Sequence, residues 1–183
     1  ADIVMHSATK YLGGHSDVLG GILAVKDQQL HEELYFIQNA TGAVLSAFDS
    51  FLVSRGIKTL DLRMRSQCES AARIARWLDD DPRVERVLYP GLENHPGHDI
   101  AAAQMEGGFG AMMSFEVQGG FEKAKKLVES TKLFQLAVSL GAVESLIEQP
   151  AAMSHASYDR EDRLANGITD SLVRISVGLE DPE

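Results

Sequence analysis

The sequence predicts an α/β protein in which helices pack against a β-sheet. After residue 56, short apolar runs alternate with segments of helical periodicity, which is typical of this class. The 183 residues are enough to bury a core, and 44% hydrophobic with 24% charged residues is the composition of an ordinary globular protein. Glycine pairs at residues 13–14 and 20–21 mark a turn-rich start that differs from the alternating remainder.

The first 56 residues are predicted to contain strands followed by helices. Short apolar runs indicate the strands, and apolar side chains at helical spacing indicate the helices. In chain order these elements are a strand over residues 2–5, a strand over 22–25, a helix over 30–39 and a helix over 43–55. The second helix is expected to end at Gly56, because glycine commonly follows the last helical turn.

Residues 57–183 are predicted to alternate between helix and strand. The clearest helix covers residues 60–78, where Leu60, Met64 and Ala71 share a face, and the following acidic run with Pro82 ends it. The other elements are strands over 84–89, 111–117, 134–140 and 172–177, a short apolar segment over 145–148, and helices over 99–105, 121–130 and 159–166. We place a domain boundary between residues 56 and 57.

Charge and composition exclude several classes of partner. The formal net charge is -10 and the isoelectric point is about 5.0, which argues against nucleic-acid and anionic-membrane surfaces. No apolar run is long enough to span a bilayer. The histidines lack metal-ligand spacing such as His-Glu-x-x-His, so no metal site is predicted. The single cysteine, Cys68, cannot form an internal disulfide, which favours a reducing compartment, the cytoplasm.

One turn near the start carries residues suited to cofactor chemistry. Ser7, Thr9 and Lys10 place two hydroxyls within three residues of an amine, directly after an apolar strand. An amine can form an imine with an aldehyde, and hydroxyls with backbone N–H groups can bind a phosphate. By itself this pattern is more typical of a solvated loop lysine.

Longer motifs change that interpretation. Residues 7–21 read SATKYLGGHSDVLGG, and this string closely resembles the lysine signature of the pyridoxal-phosphate (PLP) enzymes of cysteine and methionine metabolism. Residues 139–146 (SLGAVESL), 153–156 (MSHA) and 172–178 (LVRISVG) also resemble that family. The similarity therefore runs, in order, across essentially the whole chain. The family contains cystathionine γ-synthases, cystathionine γ- and β-lyases, methionine γ-lyases and homoserine sulfhydrylases.

The resemblance implies an α/β fold of the fold-type-I PLP-dependent transferases. Residues 1–56 would be the end of the large PLP-binding domain with a connecting helix, and residues 57–183 the small C-terminal α+β domain. The chain begins inside an apolar strand, which favours a fragment of a longer chain over a trimmed mature protein. The partners would be small-molecule sulfur amino acids, the missing N-terminal part of the same chain, and further copies in a homo-oligomer, a dimer of dimers.

The resemblance also implies the cofactor contacts. Lys10 would hold PLP through an imine and then move protons between substrate carbons. Ser7 and Thr9 would bind the cofactor phosphate. The aromatic ring that stacks on PLP and the aspartate that pairs with its ring nitrogen lie upstream of this segment in the family.

For the substrate, the resemblance implies that Arg174 binds the α-carboxylate as a bidentate fork. Ser139 would help to hold that carboxylate and the lysine. Ser154 stands where the family usually has threonine, near the same carboxylate. Val138 departs from the glutamate that cystathionine γ-synthases and many γ-lyases carry just before the serine. An apolar residue there suits an uncharged tail such as a thioether better than a distal ammonium.

These residues also allow other interpretations. Arg174 could form a structural ion pair with Glu180 or Asp181, and Ser154 could cap a helix.

The predicted function is making or breaking carbon–sulfur bonds of cystathionine or related amino acids by γ-elimination or γ-replacement. Methionine γ-lyase, cystathionine β-lyase and O-acetylhomoserine sulfhydrylase activities are the enzymatic alternatives. An inactive small-domain fragment that serves assembly is the alternative of another class.

Overall fold

The computed structural model describes residues 1–182 and contains two compact units, Ala1–Leu60 and Asp61–Glu183. Each unit has its own β-sheet. The division falls shortly after the boundary predicted between residues 56 and 57. The assignment of the two parts to a cofactor domain and a small domain stays a prediction. Within the described residues, the helices are all too short or too polar to cross a bilayer.

The first unit is built from a strand pair and two helices. Its elements are β1 (Ile3–Ser7), β2 (Gly21–Val25), α1 (Gln28–Thr41) and α2 (Ala47–Ile57). The strands pair antiparallel, with Ser7 opposite Gly21. Both helices begin at a side-chain cap: the Asp27 carboxylate accepts the Leu30 N–H at 2.7 Å, and the Ser46 hydroxyl accepts the Asp49 N–H at 3.0 Å.

Gly56 does not end α2, contrary to the prediction. The helix continues to Ile57, and Gly56 is buried within its last turn. A Cβ at this position would collide with the carbonyl oxygens of Gly13 and Leu12. Gly56 therefore allows α2 to pack closely against the segment that follows Lys10. This role depends on a tertiary contact, and the residues next to Gly56 in the sequence do not predict it.

Apolar side chains of the β1–β2 pair remain exposed. Met5 is 68% exposed and Leu23 is 53% exposed, and Ile3, Val4 and Ile22 are also more than a third exposed. A two-stranded sheet is marginal in water unless further strands or helices cover it. This pair therefore has the surface of a sheet that other parts of a protein cover.

The second unit is a mixed five-stranded sheet with helices. Its strands are β3 (Val84–Leu88), β4 (Met112–Val117), β5 (Gln135–Leu136), β6 (Leu146–Glu148) and β7 (Leu172–Ser176), and its helices are α3 (Leu60–Asp79), α4 (His98–Gln104), α5 (Gly120–Ser130) and α6 (Arg160–Ala165). The spatial order of the strands is β3-β4-β7-β6-β5. Strands β5 and β6 are parallel, and the other neighbours are antiparallel.

The core of this unit lies on the central strands. Met113, Phe115, Val173 and Ile175 of β4 and β7 are buried, as is Ile147 of β6. Burying one such side chain contributes roughly 1.5–3 kcal/mol. Helices α3 and α5 bury one face each, through Ala71, Ala75, Leu78, Ala124 and Val128. The central strands are thus well supported, and residues at their ends are held in fixed positions.

The predicted strand over residues 134–140 is wrong in its extent. Only Gln135–Leu136 forms a strand, although Ala137 still donates to the Ile147 carbonyl at 3.1 Å. Ser139 then adopts a φ of 116°, which takes the chain out of extended geometry. The Gly141 N–H donates to the Ser176 hydroxyl at 2.8 Å. A tertiary anchor therefore overrides the apolar pattern of this segment.

An ion-pair cluster stabilises the connection between α6 and β7. Asp170 accepts from Arg163 at 2.7 Å and from Arg160 at 2.6 Å, and the Arg163 side chain is only 7% exposed. These hydrogen bonds, first from Arg163 and then from Arg160, hold the pKa of the Asp170 carboxyl below its usual value. Stability from this carboxylate is therefore present above the unfolded pKa of about 3.9 and is lost as the pH falls through the lower folded value.

Asp170→Asn is expected to lower the free energy of unfolding by about 2–3 kcal/mol near pH 7, because a buried guanidinium loses its counter-charge. The difference from the parent protein should shrink towards zero once the pH is low enough to protonate Asp170. Denaturant unfolding at several pH values measures this, with the exposed Asp159→Asn as the control. A difference that does not change with pH would contradict the assignment.

Candidate active site

Lys10 lies in a kinked turn that directly follows β1. Residues Ala8–Leu12 form a π-helical turn, and Lys10 interrupts it with φ -96° and ψ -133°. Backbone hydrogen bonds hold both sides of the kink: Gly13 N–H donates to Ala8 at 2.9 Å, and Gly14 N–H donates to the Lys10 carbonyl at 2.8 Å. The half-buried Lys10 side chain therefore begins from a well-defined backbone position.

The two predicted phosphate hydroxyls have different surroundings. The Thr9 hydroxyl oxygen accepts the Gly20 N–H at 3.1 Å and lies 3.4 Å from the Gly20 carbonyl. It thus ties the lysine turn to the start of β2. The Ser7 hydroxyl is exposed, and it makes no hydrogen bond to the residues that the structure describes. Ser7 is therefore available to a ligand, and Thr9 also braces the turn.

A small core supports this turn from beneath. Ala8, Val18 and Val53 are buried together, and Leu12 and Leu45 pack against them. A lysine on a well-held backbone turn and an available hydroxyl nearby fit the anchor that PLP requires. Lys10, Ser7 and Thr9 are the residues that would hold the cofactor within this unit.

Arg174 lies on the central strand β7 of the second unit, with an acidic partner on the neighbouring strand. Glu148 on β6 is directly opposite Arg174 in the sheet register. The Arg174 Nη1 atom lies 2.9 Å from the Glu148 Oε1 atom, and Arg174 Nη2 donates to the Ser139 carbonyl at 2.8 Å. Cross-strand neighbours meet because their Cβ atoms are about 5 Å apart.

The ion-pair partners considered from sequence were therefore wrong. Glu180 instead accepts from the Ser145 N–H at 2.7 Å and from the Ser145 hydroxyl at 2.8 Å. Glu148 was missed, although it is a single charged residue at the end of the buried run Leu146–Glu148. A charged residue in a buried apolar run indicates an ion-pair partner, because unpaired charges are rarely fully buried. This was the sequence feature that could have identified Glu148.

Ser139 and Ser154 are both close to this ion pair. The Ser154 hydroxyl donates to Glu148 Oε1 at 3.0 Å and also lies 3.0 Å from His155 Nδ1. Ser139, at its positive φ, presents its carbonyl to Arg174. Strained residues of this kind persist where the surrounding structure holds them. The second unit therefore brings together Arg174, Ser139 and Ser154, with Glu148 on the neighbouring strand β6.

Val138 precedes Ser139 and has a half-exposed side chain, 51% of which is accessible. It offers an apolar surface one residue before Ser139, whose carbonyl accepts from Arg174. Its role in substrate specificity stays a prediction.

Cys68 is not a competing nucleophile in this unit. It is buried in α3. Burial raises the pKa of the Cys68 thiol, which disfavours the thiolate that reacts as a nucleophile. Lys10 remains the candidate for covalent chemistry.

Comparison with known proteins identifies the family. The family model described as Cys/Met metabolism PLP-dependent enzyme matches residues 1–183. A cystathionine gamma-lyase of Bacillus subtilis (strain 168) is 56% identical over 183 residues, which are 100% of this chain and 48% of that relative. An L-methionine gamma-lyase of Fusobacterium nucleatum subsp. polymorphum is 51% identical over 185 residues, 100% of this chain and 46% of that relative. A crystal structure of cystathionine gamma synthase from Xanthomonas oryzae pv. oryzae, in complex with cystathionine, matches with a TM-score of 0.95 at 50% identity, covering 100% of this chain and 47% of that one.

These matches confirm the resemblance drawn from the motifs and the α/β fold class of the PLP-dependent cystathionine synthases and lyases. PLP is the cofactor of this family. The chain spans about half the length of the curated relatives it matches. Relatives of similar identity catalyse different reactions, so the match defines the family more sharply than the substrate. The chain belongs to the Cys/Met metabolism family of PLP-dependent enzymes.

Proposed function

We propose that the full-length protein is a PLP-dependent carbon–sulfur lyase or transferase that acts on cystathionine or related sulfur amino acids by γ-elimination or γ-replacement. The observation that carries the proposal is the presence of both required groups, an amine on a rigid turn at Lys10 and a guanidinium at Arg174. The relatives' activities on cystathionine and methionine support the substrate class.

In the proposed mechanism, Lys10 holds the cofactor and then removes and returns protons on neighbouring substrate carbons. Ser7 donates to the cofactor phosphate, and Thr9 contributes while it braces the turn. When bound, PLP supplies an electron sink that stabilises negative charge at the substrate α-carbon. Arg174, with Ser139 and Ser154 nearby, binds the substrate α-carboxylate, because a planar guanidinium matches a carboxylate with two parallel hydrogen bonds.

A second candidate function is methionine γ-lyase activity. The observation that favours it is the apolar and half-exposed Val138, which directly precedes Ser139 in the chain. A valine leaves a distal ammonium without a partner and accepts a thioether. Cystathionine β-lyase and O-acetylhomoserine sulfhydrylase activities use the same cofactor chemistry and are outcomes of the same assay.

We further propose that the active enzyme contains an N-terminal part beyond these 183 residues and assembles as a homo-oligomer, a dimer of dimers, in the cytoplasm. The length of the relatives and the exposed β1–β2 pair support this arrangement. The 183-residue chain by itself is then inactive, because the groups that hold the rest of PLP lie in the other part of the protein.

The test is product analysis with the full-length enzyme and PLP. L-cystathionine, L-methionine, and O-acetylhomoserine with cysteine are supplied separately. Cystathionine formation or cleavage supports the first function. Methanethiol with α-ketobutyrate from methionine, in the absence of cystathionine chemistry, supports the second. The isolated 183-residue chain is the control and should give no turnover. Failure of the full-length enzyme to act on any sulfur amino acid would overturn the proposal.

A further inference from the structure

Glu148 is a buried acid whose presence the sheet does not require. Its side chain is 1% exposed, and its Oε2 atom has no hydrogen-bond partner among residues 1–182. Burying a carboxylate is costly unless a partner offsets the loss of hydration. The preceding Leu146 and Ile147 are apolar, and an apolar residue at position 148 would continue their pattern. The acid therefore needs an explanation outside the stability of the strand.

The Glu148 carboxylate is the acceptor for the polar side chains that contact it. A carboxylate only accepts hydrogen bonds, so the Ser154 hydroxyl proton points to Glu148 Oε1. The contact between Ser154 and His155 then requires that His155 carries a proton on Nδ1 and donates it to the Ser154 oxygen. The Ser154 hydroxyl therefore donates its single proton to Glu148.

The same carboxylate holds one side of Arg174. Glu148 contacts Nη1, and the Ser139 carbonyl accepts from Nη2. The Arg174 side chain is nevertheless 24% exposed, so part of it stays accessible to a ligand. A free arginine side chain loses rotamer entropy when a ligand orders it. A guanidinium that is already ordered avoids that loss on binding.

We propose that Glu148 is the positioning residue that orders Arg174 before the substrate carboxylate arrives, and that Ser154 acts through Glu148 and not directly on the substrate. This inference rests on the proposed role of Arg174 in carboxylate binding. Glu148 itself touches neither substrate nor cofactor in this assignment. In the same arrangement, His155 fixes the orientation of the Ser154 hydroxyl.

The test measures selectivity for a carboxylate in the full-length enzyme. Dissociation constants of L-methionine and of 3-(methylthio)propylamine, the same amine without a carboxylate, are obtained from the change in absorbance of bound PLP. Glu148→Gln should weaken methionine binding about tenfold, the effect of losing one charge-assisted orienting contact, and leave amine binding unchanged. Ser154→Ala should act in the same direction with a smaller effect. The exposed Glu129→Gln is the matched control.

Two outcomes would overturn the inference. Methionine binding that is unchanged or tighter in Glu148→Gln means that the acid does not help to position Arg174. Equal weakening of both ligands in Glu148→Gln and Ser154→Ala means that these residues have only a structural role.

A double-mutant cycle with Arg174→Lys separates this inference from the proposed function. If Glu148 acts through Arg174, adding Glu148→Gln to Arg174→Lys should weaken methionine binding no further. Additive effects contradict the positioning role. If Arg174→Lys by itself leaves methionine binding unchanged, the carboxylate role of Arg174 fails, whatever Glu148 does.

Discussion

Lys10→Ala in the full-length enzyme is expected to abolish the visible absorbance of lysine-bound PLP and to lower turnover of its sulfur amino acid by at least about 10⁴-fold. The physical reason is that one amine both holds the cofactor and moves the substrate protons. No neighbouring group in the lysine turn supplies a second amine, because Ser7 and Thr9 are hydroxyls. The absorbance spectrum and the rate of ketoacid formation measure the two effects.

Lys26→Ala is the matched control for this prediction. Lys26 is exposed, follows β2 and lies in the same unit as Lys10. Its replacement should leave both the spectrum and the rate close to those of the parent enzyme. If Lys10→Ala retained the absorbance, the cofactor lysine would have to be elsewhere.

Arg174→Leu is expected to have two separate effects. Loss of the guanidinium should weaken binding of the amino-acid substrate by at least about 100-fold, since each charge-assisted hydrogen bond contributes roughly 1.5–3 kcal/mol. It also leaves Glu148 as a buried charge without its counter-ion, which should lower the free energy of unfolding by about 3–5 kcal/mol. Substrate dissociation constants and denaturant unfolding measure these effects independently.

The double variant Arg174→Leu with Glu148→Leu distinguishes them. Replacing both members of a buried pair by apolar residues is often close to neutral for stability, so the free energy of unfolding should return towards the parent value. Substrate binding should not return. Recovery of binding in this variant would show that the arginine does not contact the substrate.

Local patterns were sufficient for the elements whose signal is continuous along the chain. The helix predicted over residues 60–78 corresponds to α3 at Leu60–Asp79, because its apolar face repeats over several turns and an acidic, proline-containing run ends it. The strands predicted over 111–117 and 172–177 correspond to β4 and β7, which are central and apolar. The apolar patterns that predict these two strands are local, and the tertiary contacts of the folded protein favour the same conformation.

Predictions were wrong where a distant contact decided the conformation. The strand over residues 134–140 is short because the Ser139–Gly141 segment is bound to Arg174 and Ser176, which lie far along the chain. Gly56 lies inside a helix, and the reason for the glycine is that the backbone at Gly13 leaves no room for a side chain. These contacting residues are distant in the sequence, so the residues next to positions 139–141 and 56 do not identify them.

The sequence by itself determined the α/β class, the order of the main elements and the family, because its motifs combine particular residue types at close spacing. Only the tertiary structure decided that Glu148 is the partner of Arg174 and that Ser154 turns its proton towards that acid. Strand register brings these residues together, and register is set by the packing of whole strands and not by neighbours in the chain.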